Sequence, residues 1–208
     1  MSKSNKVYGG IEWTPANIVT VIRILFIPVF VIALLMPWEQ CLFGTDPMGL
    51  TVRAVVSLVV FGLICLTDTL DGYLARSRNE VTVFGKFIDP IADKLLVMSA
   101  LVVLVGQNRM PSWICILMLA REFAISGFRL VAANSGRVIA AGWLGKIKTV
   151  TQMAAVILLL LLTPVSGDPL LGPIGVTIAN IVMYISALMT VWSGVDYIAR
   201  NFDCIRDM

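Results

Sequence analysis

The sequence predicts an all-α integral membrane protein with six transmembrane helices and a polar cavity that faces the cytoplasm. Of its 208 residues, 58% are hydrophobic and 14% are charged, and the mean hydropathy is +0.90. A soluble domain of this size has no core large enough to bury so much apolar surface. The long runs of Leu, Val and Ile do not alternate with polar residues, as the strands of a membrane barrel would, so the spans are predicted to be helices.

Six apolar stretches are long enough to cross the hydrocarbon layer, which is about 30 Å thick and takes roughly 20 helical residues. Thr14 is expected to cap the first helix, with Pro15 in its first turn. The third stretch is short for a span, and its helix could extend through the polar residues before it. The six predicted spans are Asn17–Met36, Thr51–Leu74, Ile91–Val105, Pro111–Ala133, Lys146–Leu162 and Pro173–Ala199.

The basic residues predict the orientation, because Lys and Arg in short loops are retained on the cytoplasmic side. One set of loops and chain ends carries most of them, whereas the opposite set carries only Arg53 and Arg109. Both termini are therefore predicted to be cytoplasmic, in a multi-pass protein of the cell membrane. We expect one domain over residues 1–208, in which residues 1–16 form a cytoplasmic or interfacial segment with no cleavable signal. The cytoplasmic basic residues are Lys3, Lys6, Arg76, Arg78, Lys86, Arg129, Arg137, Lys146, Lys148, Arg200 and Arg206.

The formal net charge of +3 is explained by this topology and by anionic substrates, and it gives no reason to expect nucleic acid as a partner. The four cysteines lack the spacing of metal ligands, and we expect no structural disulfide among them. They are Cys41, Cys65, Cys115 and Cys204.

Four aspartates bracket one short predicted loop. Asp68 and Asp71 are three residues apart and Asp89 and Asp93 are four apart, so each pair lies on one face of its helix. Four carboxylates at a membrane boundary repel one another strongly unless cations neutralise them. Oxygen ligands without His or Cys indicate Mg²⁺, Mn²⁺ or Ca²⁺. The alternative is that these are ordinary loop charges at the end of a span.

Small residues accompany the aspartates. Gly72 and Ala75 lie on a face beside the first acidic pair, where they leave room for a bulky flat ligand, and Gly85 can do the same across the loop. Arg76 can neutralise a phosphate.

This segment resembles the signature of the CDP-alcohol phosphatidyltransferases, D-x2-D-G-x2-A-R-x8-G-x3-D-x3-D. The resemblance implies six transmembrane helices, a homodimer, and a CDP-linked lipid such as CDP-diacylglycerol as substrate. It also implies two divalent ions, Mg²⁺ or Mn²⁺, held by the first three aspartates and approached by Asp93, which would also be the general base. Gly72, Ala75 and Gly85 would line the cytidine pocket, with Arg76 nearby. The matching residues are Asp68, Asp71, Gly72, Ala75, Arg76, Gly85, Asp89 and Asp93.

Basic residues of the fourth and fifth spans predict a second anion site. Buried arginines in a membrane helix usually face a polar cavity or a partner. An acceptor alcohol with its own phosphate would satisfy such a pocket, and sn-glycerol 3-phosphate is the simple candidate. The alternative is that Arg121 pairs with Glu122 and that the lysines only set the topology. The residues predicted to bind the acceptor phosphate are Arg121, Ser126, Arg129, Lys146 and Lys148.

Several segments are similar to those of the glycerol-phosphate branch of this family, the bacterial phosphatidylglycerophosphate synthases. They are Ala120–Glu122 with Ser126 and Arg129, Trp143–Thr149, Asp196–Tyr197, and Asn17–Arg23. In the branch, the Asn of the last segment approaches the active site, which implies that Asn17 contacts the CDP-lipid. Proline usually precedes this Asn directly, whereas Ala16 intervenes here.

Other acceptors remain open at this point: inositol phosphate, serine, or phosphatidylglycerol as in cardiolipin synthesis. An ion or proton transporter is a remote alternative, because acids and arginines inside a membrane also mark conduction paths. The clustering of the acids at one cytoplasmic edge argues against a transporter.

Overall fold

The computed structural model describes residues 7–8, 11–12, 14–36, 52, 54–65, 83–134, 142–165 and 169–201. Within these ranges, the backbone alone is described for residues 7, 8, 11, 12, 15, 16, 83–87, 89, 90, 93, 133 and 134.

Six helices account for most of the described residues. They are α1 (Pro15–Leu35), α2 (Ala54–Cys65), α3 (Val83–Gly106), α4 (Ser112–Asn134), α5 (Trp143–Leu162) and α6 (Gly172–Arg200). The all-α prediction needs one correction, because two short strands precede them. Strand β1 (Val7–Tyr8) pairs antiparallel with β2 (Ile11–Glu12).

Among the residues that the structure describes, three helices are long and apolar enough to cross a membrane: Asn17–Leu35 within α1, all of α5, and all of α6. Two shorter apolar helices are Ala54–Cys65 and Lys94–Gly106, the second being part of α3. The third apolar stretch belongs to a longer helix, since α3 begins at Val83, is 24 residues long and includes the polar residues before Ile91. That this helix spans the membrane stays a prediction. Six complete spans stay a prediction.

The start of α1 is confirmed as predicted. Thr14 is the N-cap, and its hydroxyl oxygen accepts a hydrogen bond from the backbone N–H of Asn17 at 3.3 Å. Pro15 occupies the first turn, where its missing N–H has no cost.

The chain divides into two compact units. The first contains α1, α2 and α3 as far as Val103, and the second contains the end of α3 with α4, α5 and α6. In the first unit, the rings of Phe30 and Phe61 pack with their centroids 5.6 Å apart, and both side chains are buried. The single domain expected over residues 1–208 stays a prediction.

Helix α6 organises the second unit by packing against both α5 and α4. Two ring contacts show that it runs parallel to α4. The ring of Trp113 packs against Tyr184 and, further along both helices, the ring of Phe128 packs against Tyr197. Gly175 leaves space at the start of α6, since a Cβ there would lie 2.9 Å from the Cβ of Leu171. Arg109, which lies just before α4, donates hydrogen bonds to Thr163 and Leu159 at the end of α5, so α4 begins at the end of the unit where α5 finishes.

Asn108 makes the turn between α3 and α4, with a left-handed φ of 57°. Its backbone N–H bonds to the carbonyl of Val105, and the N–H of Arg109 bonds to that of Leu104. This is the Schellman arrangement, which satisfies carbonyls at the end of a helix. The turn brings Arg109 beside the end of α5.

Candidate functional site

Helix α3 carries two of the four predicted metal ligands. Asp89 and Asp93 lie four residues apart in regular helix, so they share one face of α3, as their spacing predicted. Gly85 lies in the first turn of the same helix. The side chains of Asp89 and Asp93 lie outside the described set, and so do the residues Asp68, Asp71, Gly72, Ala75 and Arg76.

The donor set fits a hard divalent cation. Two carboxylates one helical turn apart on α3 are oxygen ligands of the kind that Mg²⁺ and Mn²⁺ accept. Among the described side chains, no group of three His, Cys, Asp or Glu could hold a metal ion. That search does not cover the four aspartates, so the metal site stays a prediction.

Asn17 lies in the first turn of α1 and is buried, and its backbone N–H completes the helix cap described above. The contact of Asn17 with the CDP-lipid stays a prediction. Cys65 and Cys115 are free thiols, whereas Cys41 and Cys204 lie outside the described residues.

A carboxylate and two cations form the centre of the second unit. Glu122 Oε1 accepts a hydrogen bond from Arg121 Nη1 at 3.3 Å and forms an ion pair with Lys148 Nζ. The Lys148 side chain is only 4% exposed, and the side chains of Arg121 and Glu122 are 15% exposed. We call these three residues the Glu122 cluster. It joins α4 to α5.

Residues of α6 hold the side chain of Arg121 in place. The Nη2 group of Arg121 donates to Ser193 Oγ at 3.0 Å, and that hydroxyl donates in turn to the carbonyl of Thr190. A Cβ at Gly194 would lie 3.3 Å from Arg121 Cγ, so the glycine leaves space for the arginine stem. The Nε atom of Arg121 is buried with no hydrogen-bond partner in the described structure. The guanidinium therefore retains an unused donor inside the unit.

Arg129 lies further along the contact between α4 and α6. Its Nε donates to the hydroxyl of Tyr197 at 3.3 Å, and its guanidinium carbon lies 5.3 Å from the centre of the Tyr197 ring. Both contacts orient the cation without cancelling its charge. Arg129 and the two cations of the Glu122 cluster thus lie along the faces of α4 and α5 that belong to the same unit.

The other two predicted acceptor residues lie differently. The Ser126 hydroxyl donates to the backbone carbonyl of Glu122, one turn earlier in its own helix. Lys146 is exposed, with Nζ 6.0 Å from the ring centre of Trp143, whereas Lys148 is buried. Two residues along a helix turn its face by about 200°, which separates these two lysines. The structure thus brings Arg121 and Lys148 together and leaves Lys146 apart. The alternative pairing of Arg121 with Glu122 is also present.

Sequence reasoning missed the contribution of Ser193 and Gly194. Four polar residues of α6 recur at helical spacing in an otherwise apolar helix, and all four are buried. A polar stripe of this kind in a membrane helix indicates a face that meets other polar groups. The stripe consists of Ser186, Thr190, Ser193 and Tyr197.

Comparison with known proteins places these features in a family. A model of the family described as CDP-alcohol phosphatidyltransferase matches residues 13–192. The chain is 38% identical over 190 residues to a CDP-diacylglycerol–glycerol-3-phosphate 3-phosphatidyltransferase of Bacillus subtilis, covering 91% of this chain and 96% of that protein. It is 40% identical over 193 residues to a probable phosphatidylglycerophosphate synthase of Mycobacterium tuberculosis, covering 93% and 82% of the two chains.

A third relative comes from Haemophilus influenzae and bears the same name as the Bacillus subtilis protein. It is 37% identical over 184 residues, which cover 86% of this chain and 88% of the relative. All three matches therefore extend over most of both proteins.

Replacing the shared carboxylate is expected to destabilise the second unit. Glu122→Gln leaves two largely buried cations without their anion, and breaking a buried pair costs about 3–5 kcal/mol. We expect the thermal midpoint of the purified protein in detergent to fall by several degrees. The matched control is Arg200→Gln, because the Arg200 side chain is 73% exposed in its ion pair with Asp196. Exposed pairs contribute roughly 0–1 kcal/mol, so equal shifts in the two variants would contradict a structural role for Glu122.

The position of the Arg121 side chain against α6 can be tested by substituting two glycines. An added methyl group usually stabilises a helix, since Ala is favoured over Gly by about 1 kcal/mol in helix interiors. Gly127→Ala in α4 meets no atom within 4 Å and is expected to raise the thermal midpoint or leave it unchanged. Gly194→Ala is expected to lower the midpoint, because the methyl group displaces Arg121. A gain in stability from Gly194→Ala would show that Arg121 is not held at this position.

Proposed function

Because the chain belongs to the CDP-alcohol phosphatidyltransferase family, we propose that it transfers the phosphatidyl group from CDP-diacylglycerol to sn-glycerol 3-phosphate. The products are phosphatidylglycerophosphate and CMP, and the reaction belongs to phospholipid biosynthesis. The relatives that carry this name match over most of their length. The protein is a membrane enzyme, in keeping with its three long apolar helices.

The observation that carries the choice of acceptor is the group of cations in the second unit. Arg121 and Lys148 share the carboxylate of Glu122, and Arg129, which contacts the uncharged Tyr197, lies close enough to Arg121 to interact with it electrostatically. A phosphate monoester bears about −1.5 to −2 charges at neutral pH and suits such a group of cations. A neutral alcohol or a zwitterion brings no net negative charge to it. This argument favours glycerol 3-phosphate over serine.

For the acceptor phosphate, we propose Arg121, Ser126, Arg129, Lys146 and Lys148 as the binding residues. Arg121 brings the buried Nε donor that its protein contacts leave unused. Arg129 is oriented by Tyr197 and remains exposed, so an anion can reach it. Lys146 is exposed and has a flexible four-carbon stem that can turn toward a bound anion.

For the donor, we propose that Asp68, Asp71 and Asp89 hold two divalent ions, Mg²⁺ or Mn²⁺, with Asp93 adjoining them. Such ions supply charge neutralisation to the diphosphate of the CDP-lipid. Gly72, Ala75 and Gly85 leave room for the cytidine, Arg76 offers a cation to its phosphates, and Asn17 contacts the CDP-lipid from the start of α1. The helical position of Asp89, Asp93 and Gly85 on α3 supports this assignment.

Asp93 is proposed as the general base. Its carboxylate would take the proton from the acceptor hydroxyl as that oxygen bonds to the β-phosphorus of CDP-diacylglycerol. The bond from this phosphorus to the oxygen that bridges the two phosphates breaks at the same time, and CMP leaves with that oxygen. Asp93 lies one turn after Asp89 on the same helix, so a base and a metal ligand share one rigid element.

The proposed topology has six spans, cytoplasmic termini and a cytoplasmic active-site cavity in the cell membrane. The distribution of charge in the second unit supports it. Lys146, Lys148 and Arg200 lie toward the end that carries the Glu122 cluster, whereas Arg109 lies toward the other end. The positive-inside rule assigns the first end to the cytoplasm. A homodimer is part of the proposal through the family resemblance alone.

The acceptor is tested by measuring CMP release from CDP-diacylglycerol by the purified protein in detergent with Mg²⁺ or Mn²⁺. Glycerol 3-phosphate is expected to support release at least about tenfold faster than inositol phosphate, serine, phosphatidylglycerol or no acceptor, a difference of about 1.4 kcal/mol. Faster release with one of the other acceptors would overturn the choice of glycerol 3-phosphate. Absence of release with every acceptor would contradict the enzyme and favour a transporter.

The role of Asp93 is tested by comparison with Asp89. Asp93→Asn is expected to lower kcat by about 10²- to 10⁴-fold, the usual contribution of a general base, while the Kd for CDP-diacylglycerol changes little. Asp89→Asn is the matched control on the same helix and is expected to weaken metal-dependent binding of the CDP-lipid as well as kcat. Equal losses of binding in the two variants would identify Asp93 chiefly as a metal ligand.

A further inference from the structure

A buried tyrosine of α6 holds an exposed arginine of α4. Arg129 is exposed, whereas Tyr197 is only 7% exposed. A long side chain on a helix surface samples many rotamers, and it loses most of this freedom when it binds a ligand. A protein group that already holds the arginine can therefore strengthen ligand binding without touching the ligand.

Tyr197 contacts Arg129 in two ways. The Nε group of Arg129 donates to the Tyr197 hydroxyl at 3.3 Å, and the guanidinium carbon lies 5.3 Å from the centre of the ring. The hydroxyl gives the contact its direction, and the negative face of the ring attracts the cation. Both groups are uncharged, so these contacts direct the guanidinium without forming an ion pair with it.

The ring of Tyr197 is itself held in position by α4. Phe128 packs edge-on against it, with the ring centres 5.7 Å apart and the ring planes at 86°. Phe128 and Arg129 are consecutive residues, and successive side chains of a helix point about 100° apart. Tyr197 contacts both of them at once. The position of Arg129 is therefore tied to a rigid part of the contact between α4 and α6.

The contact with Tyr197 also selects how Arg129 can bind an anion. A guanidinium can bind a phosphate side-on, through Nε and one Nη group, or end-on, through both Nη groups. Tyr197 takes the Nε donor. The end-on fork of Arg129 is the one that fits the phosphate of the acceptor.

Arg121 supplies a second reason for Arg129 to need a holding group. The two arginines lie eight residues apart on α4 and are close enough to interact electrostatically. Like charges repel, so an exposed Arg129 without a holding contact turns away from Arg121. The Tyr197 hydroxyl and ring oppose this movement and keep the two cations near each other.

We propose that Tyr197 is a positioning residue for the acceptor, which acts by holding Arg129 in the orientation that binds the acceptor phosphate. This inference rests on the proposed transfer to sn-glycerol 3-phosphate. Because Tyr197 acts through Arg129, its loss weakens binding of the acceptor and leaves the chemical step and the binding of the CDP-lipid unchanged.

The test measures metal-dependent CMP release from CDP-diacylglycerol by the purified full chain in detergent, at varied concentrations of glycerol 3-phosphate. Tyr197→Phe removes the hydroxyl and keeps the ring, and it is expected to raise the KM for glycerol 3-phosphate about three- to tenfold. Tyr197→Leu removes both contacts and is expected to raise this KM about ten- to thirtyfold. In Tyr197→Phe, kcat and the KM for CDP-diacylglycerol are expected to stay within about twofold of the wild type.

A double-mutant cycle separates positioning from a structural role. Arg129→Ala is expected to raise the KM for glycerol 3-phosphate by itself. Adding Tyr197→Phe to Arg129→Ala is expected to change this KM by less than about twofold, because the residue through which Tyr197 acts is gone. Effects of the two substitutions that multiply would show that Tyr197 does not act through Arg129, and they would overturn the proposal.

The matched control is Tyr184→Phe, a tyrosine of the same helix whose ring packs against Trp113. This substitution is expected to leave the KM for glycerol 3-phosphate unchanged. An unchanged KM in both Tyr197 variants would overturn the positioning role alone, and so would a loss confined to kcat, which indicates a smaller folded fraction. A wild type that does not use glycerol 3-phosphate would overturn the proposed function, and this inference with it.

Discussion

Glu122 binds cations from two helices in an apolar environment, and the second unit depends on this contact. Charges inside a membrane protein are costly unless they are paired, and the carboxylate of Glu122 on α4 is a partner for the buried Lys148 on α5. Arg121 shares the same carboxylate and reaches α6 through Ser193. The requirement to satisfy these charges therefore fixes how α4, α5 and α6 meet at this end of the unit.

The pairing at Glu122 also prepares the unit to bind an anion. One carboxylate holds Arg121 and Lys148 in place, and the Tyr197 hydroxyl and ring hold Arg129. These cations are held in position before any ligand arrives, which lowers the cost of ordering their side chains on binding. At the opposite end of the same helices, Arg109 is oriented by neutral oxygens. At both ends, the protein sets the orientation of a cation. The groups around the cation differ between the two ends.

The helices could be predicted where their composition is apolar and less well where it is not. The ends of α4 and α6 lie within one residue of their predicted positions, because hydropathy changes sharply there. Helix α3 begins eight residues before the apolar stretch at Ile91, since a helix turn at a membrane surface is polar and resembles a loop. The strands β1 and β2 were not predicted, because two residues in each strand are too few to show alternation.

The sequence by itself determined the membrane character, the aspartate motif and its family, because apolar length and local residue spacing are properties of neighbouring positions. Only the tertiary structure decided which cations meet. Lys146 and Lys148 are chemically identical and two residues apart, yet one is exposed and the other is bound to Glu122. Ser193, which holds Arg121, lies 72 residues away from it along the chain. Such contacts depend on which faces of distant helices pack together, and the local sequence does not specify those faces.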